Sequence, residues 1–150
     1  MTAPRLLALS DLHVAHPQNR EIVAGLRPGP VTIAPVFGLY DHTFRPDGAR
    51  TKEQGLARAY EKGIVCSDEV LLHPDPHPSV EEWCRARIEV TERRLEDDRD
   101  PALPVVFVTH YPLVREPTRA LRYPLFAQWC GTTRTGDWHL RFNAAAVVYG

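Results

Sequence analysis

Three short apolar runs, each stopping at a polar break, punctuate the chain. Residues 5–9 halt at Ser10-Asp11-Leu12-His13, residues 103–108 at Thr109-His110-Tyr111-Pro112, and residues 144–149 at Gly150. Uniformly apolar runs of this length predict strands covered on both faces. Residues 31–40, rich in β-branched and aromatic side chains, read as a fourth strand, in which Pro35 points to an edge or an irregularity.

Helical spacing fills the intervals. Asn19 caps a short predicted helix over 19–26 with Ile22, Val23 and Leu26 on one face, and Arg27-Pro28-Gly29-Pro30 breaks it. Thr51 with Gln54 forms a capping box for a helix to about Lys62, closed by Gly63. Ser79 with Glu82 forms a second box, and Val80, Trp83, Cys84, Ile88, Thr91 and Leu95 then follow helical spacing. A helical segment over 118–129, disturbed by Pro124, and a single turn over 137–142 complete the set; residues 65–77 read as irregular. Strands alternating with helices predict an α/β fold, with a layered α+β arrangement as the variant.

The 150 residues suit one domain. An apolar share of 43%, a charged share of 25% and a formal charge of −1 describe an ordinary globular chain. Without a basic run there is no electrostatic footprint for nucleic acid, so none is expected as a structural partner. Neither a signal peptide nor a membrane-spanning run is visible, so no membrane partner is expected. Cys66, Cys84 and Cys130 are an odd, widely spaced set, which favours a reducing, cytoplasmic setting with unpaired thiols.

Candidate chemistry gathers at the strand ends. Asp11 and His13 sit two apart after the first apolar run and share a side if the backbone stays extended. A carboxylate and an imidazole so placed suit a borderline divalent metal such as Mn²⁺, Fe²⁺ or Zn²⁺. His110 holds the equivalent place after the run 103–108, and open α/β sheets build sites at such carboxyl ends. Each residue taken alone is also an ordinary turn or surface residue; the three together favour the metal. Tyr40, Asp41 and His42, ending the strand 31–40, are candidates to line the same cleft, although Asp41 and His42 read more readily as ordinary turn residues. Arg115, with Arg119 and Arg122 at helical spacing, is a candidate phosphate contact, although a solvated arginine face explains that spacing as well. His42 reads as a turn residue, and His73, His77 and His139 have no ligand-like spacing.

LLALSDLHV resembles the opening Asp-x-His motif of the calcineurin-like metallophosphoesterases. VVFVTHYPL resembles that family's later strand ending in a metal-binding histidine, and AAAVVYG the strand leading to its closing Gly-His-x-His. The resemblance implies a partial metallophosphoesterase-like sheet sandwich flanked by helices. It also implies a phosphomonoesterase or phosphodiesterase activity on a phosphorylated substrate, with two metals (Mn²⁺, Fe²⁺/Fe³⁺ or Zn²⁺) in intact members. Asp11 and His13 would bind one metal and His110 the other. The family's Gly-Asp-x-x-Asp and Gly-Asn-His are absent and only Gly150 of the last motif is present. An incomplete domain over 1–150, with a deletion junction near 27–30, is therefore expected. A non-catalytic remnant serving as an interaction module is the alternative.

Overall fold

The computed structural model describes residues 31–150; the calls on Asp11, His13, the helix 19–26 and the junction near 27–30 lie outside the described residues. Three strands, β1 (Thr32–Val36), β2 (Val105–Thr109) and β3 (Ala144–Tyr149), form one parallel sheet in the order β1-β2-β3. β1 pairs with β2 in continuous register, Thr32 opposite Val105 and Val36 opposite Thr109. Between β2 and β3 the register slips once, between Val105 and Val106. Parallel neighbours need long crossovers, and the helices lie in them. The α/β expectation therefore holds.

The strand expected over 31–40 is pairing-competent only to Val36. Pro35 has no N–H to give, and it sits on the strand that is an edge among the described residues. Beyond it, the Asp41 amide turns to the carbonyl of Gly131 at 3.4 Å.

Helix α1 (Lys52–Glu61) starts as expected, with Thr51 Oγ1 accepting from the Gln54 amide. The reciprocal half of the box differs: Gln54 Oε1 accepts from Arg50 N at 2.8 Å instead of from the capping residue. A short helix, α2 (Asp68–Leu71), lies in the stretch expected to be irregular. Helix α3 (Val80–Asp98) is capped by Ser79 Oγ on the Glu82 amide at 3.1 Å, and it buries Cys84, Ile88, Thr91 and Leu95. The segment expected as one helix over 118–129 is two 3₁₀ turns, Glu116–Ala120 and Pro124–Trp129. Pro117 and Pro124 each stand near the start of a turn, where a missing N–H is harmless, and neither could lie inside a continuous helix. Helix α4 (Trp138–Arg141) leads through Asn143, at φ 50, into β3.

One core joins Ala34 and Val36 of β1, Val105 and Phe107 of β2, Cys84, Ile88 and Leu95 of α3, and Trp138 and Phe142 around α4. Phe107, Trp138 and Phe142 meet pairwise at centroid distances of 5.8 to 6.3 Å, a spacing at which edge-to-face contact is favourable. Arg141 fastens α4 to α3 through Glu92 at 2.5 Å and Glu96 at 2.6 Å. A second core under α1 joins Tyr40, Ala59 and Trp129. The first lies on the sheet face that carries Phe107. The register puts Ile33, Val108 and Val148 on the other face, where Ile33 is exposed and the two valines only half-buried.

Candidate active site

β2 delivers the first candidate. Its residues are buried except for the half-buried Val108, and His110 then emerges exposed at the carboxyl end of the sheet. Tyr111 follows, half-buried, with its ring centroid 4.5 Å from that of His110; Pro112 and Leu113 turn back into the core. Burial, aided by the charge of Asp68, pushes the Tyr111 phenol up to about 12, so it is a neutral hydroxyl beside the imidazole. Because Thr109 stands level with Tyr149, the carboxyl ends of β2 and β3 open at one edge, as the parallel arrangement requires.

The other candidates are engaged elsewhere in the chain. Tyr40 is fully buried, with its hydroxyl lacking any hydrogen-bond partner among the described residues, and burial followed by the charge of Glu69 holds its phenol far above the ordinary range. Asp41 spends its carboxylate on the chain: Oδ1 accepts from the amide and hydroxyl of Thr43 at 3.2 and 2.5 Å, and Oδ2 accepts from Thr132 Oγ1 at 2.7 Å. It staples the loop after β1 to the segment before α4. Arg115 donates to Asp47 Oδ1 at 2.9 Å on the surface.

A polar cluster at His42 was not legible in the sequence. His42 is buried with a left-handed φ of 57; its Nε2 lies 2.6 Å from Glu69 Oε1, and its Nδ1 lies 3.2 Å from Glu81 Oε1. Lys52 closes on Glu81, and Trp129 Nε1 donates to Glu69 Oε1 at 2.8 Å. The only hint was an Asp-His pair at a strand end; the glutamates lie far along the chain, where no spacing rule reaches.

Among the described residues, no three His, Cys, Asp or Glu side chains gather closely enough to hold a metal ion. The two glutamates flank opposite nitrogens of His42, so a single ion could not take all three. His110 supplies one donor, and the described residues do not complete a metal site around it.

The comparisons add what the geometry lacks. The chain is similar to a mycobacterial phosphodiesterase. It is 47% identical over 140 residues to the [acyl-carrier-protein] phosphodiesterase PptH of Mycobacterium tuberculosis, which takes in 93% of this chain and 43% of that protein. The crystal structure of phosphopantetheinyl hydrolase (PptH) from the same organism superposes with a TM-score of 0.78 at 50% identity, over 84% of this chain and 44% of that one. The chain thus spans less than half the length of these relatives. No family model matches the sequence.

Proposed function

We propose that this chain forms part of a metal-dependent phosphodiester hydrolase of the calcineurin-like kind, with His110 as a metal ligand alongside Asp11 and His13. The observation that carries the reading is the exposed imidazole of His110 at the carboxyl end of a buried parallel strand. The same chain is 47% identical to a phosphodiesterase. Mn²⁺, an iron ion or Zn²⁺ would supply Lewis acidity and a more acidic bound water. The reaction is phosphodiester plus water giving phosphomonoester plus alcohol, in which water oxygen replaces one ester oxygen on phosphorus. By likeness to PptH, the substrate is a phosphopantetheinyl carrier protein.

The test is Mn²⁺-dependent hydrolysis of an aryl phosphodiester by this chain, with His110→Ala beside it. Changes one layer outside a metal's ligands already lower activity roughly 10–100-fold, so loss of a ligand is expected to cost at least about 100-fold. Activity that is metal-dependent and lost in His110→Ala supports the proposal. Equal rates for both, or none from folded protein, would point instead to the non-catalytic reading.

A further inference from the structure

We infer that the groove at the carboxyl end of β3 binds the uncharged pantetheine arm of a phosphopantetheinyl substrate; the inference rests on the phosphodiesterase reading above. Val147 and Tyr149, which alternate onto one face of β3, form one wall, and the turn that follows His110 forms the other. The groove has a volume of about 540 Å³, inside the ~300–1,000 Å³ range of small-molecule sites.

Position comes first. The wall begins at Pro112, two residues after His110, so the groove adjoins, along the chain, the residue proposed to hold the phosphoryl group. Charge comes second. Among the described residues the lining contains no lysine or arginine, and its one fully charged side chain is Glu116. A phosphate would be repelled there, whereas a neutral chain would not. Chemistry comes third. Pro112, Leu113 and Val147 offer apolar contact, while Glu116, His139 and Tyr149 stand exposed with polar atoms. Pantetheine matches that alternation: its gem-dimethyl and methylene groups suit the apolar surface, its amide N–H groups can donate to Glu116, and its carbonyls can accept from the Tyr149 hydroxyl or an imidazole N–H. A long flexible arm also fits an open groove better than a closed pocket, with weak binding as the consequence of ordering it.

The experiment is ligand-observed NMR titration of pantetheine, which lacks the phosphate, into this chain and into Glu116→Trp and Val147→Trp. Glu116 is exposed, so its variant keeps the test valid if Val147→Trp fails to fold by circular dichroism. The expected result is saturable binding to the unaltered chain, weakened roughly fivefold or more by filling the groove, as loss of about 1 kcal/mol of contact implies. No binding, or equal affinity in Glu116→Trp, overturns the inference. Self-association that Glu116→Trp abolishes would also overturn it, making the groove an interface between copies. Hydrolysis of the aryl phosphodiester without pantetheine binding sinks this inference alone; pantetheine binding without hydrolysis sinks the earlier proposal and leaves the groove assignment.

Discussion

His42 Nε2 lies 2.6 Å from Glu69 Oε1, the oxygen that also accepts from Trp129 Nε1 at 2.8 Å. The loop after β1, helix α2 and the 3₁₀ turn Pro124–Trp129 therefore meet at one carboxylate oxygen. Removing one partner of a buried hydrogen bond to a charged group leaves the other desolvated. His42→Ala is expected to lower stability by about 2–4 kcal/mol, read as a shift of the urea midpoint at unchanged slope. A change within about 0.5 kcal/mol would mean water replaces the ring freely.

Tyr40 gives a contrasting case, a buried hydroxyl with no partner among the described residues. A buried polar group left unbonded is destabilising, so deleting it while keeping the ring should be harmless or helpful. Tyr40→Phe is expected to leave stability unchanged or to raise it by up to about 1 kcal/mol, with any hydrolysis unaffected. A fall in hydrolysis with stability intact would support Tyr40 as a substrate contact.

What the sequence made legible follows from the range of the signals. The caps at Thr51 and Ser79, the buried stripe Cys84-Ile88-Thr91-Leu95, and the apolar strands ending at Thr109 and Tyr149 all depend on neighbours within one or two turns. Those features were readable, and with them the α/β fold. The limits of β1 and the division of the segment after β2 depended on which amides prolines remove, which fixes breaks only when their place in the chain is known. The His42 cluster and the groove join residues 27 to more than 30 positions apart, and no local pattern encodes such pairs. His139, set aside for lacking ligand-like spacing, lines the groove for the same reason.

The thiols make a prediction about alkaline pH. Burial pushes Cys84 up to about 12, with Asp41 adding to it, and Cys130 up to about 11, with Cys66 adding to it, from 9.0 in each case. A folded value above the unfolded one means stability is fully present below pH 9 and is lost as pH rises through 11 to 12, because only the unfolded chain ionises first. The thermal midpoint should thus be flat near neutrality and fall above pH 9. At pH 8 the two thiols should also react with iodoacetamide roughly a hundredfold more slowly than in urea, since the thiolate is the nucleophile. Equal labelling rates in both conditions would show that these side chains open readily to solvent.

Gly131 separates backbone strain from steric clash. It adopts φ 134, and a β-carbon there would stand 2.8 Å from Phe44 Cε2 and 3.3 Å from the Pro112 carbonyl oxygen. Gly63, at the end of α1, also has a positive φ, 67, yet its β-carbon would meet nothing within 4 Å among the described residues. Gly63→Ala should therefore cost about 1 kcal/mol, the left-handed penalty alone. Gly131→Ala adds displacement of the buried Phe44 ring and should cost about 2–4 kcal/mol in chemical unfolding. Because Pro112 belongs to both this contact and the groove wall, Gly131→Ala should also weaken pantetheine binding, while Gly63→Ala should not. Equal costs for the two alanines would mean that Phe44 yields without resistance, and that the packing beneath the wall is looser than its burial indicates.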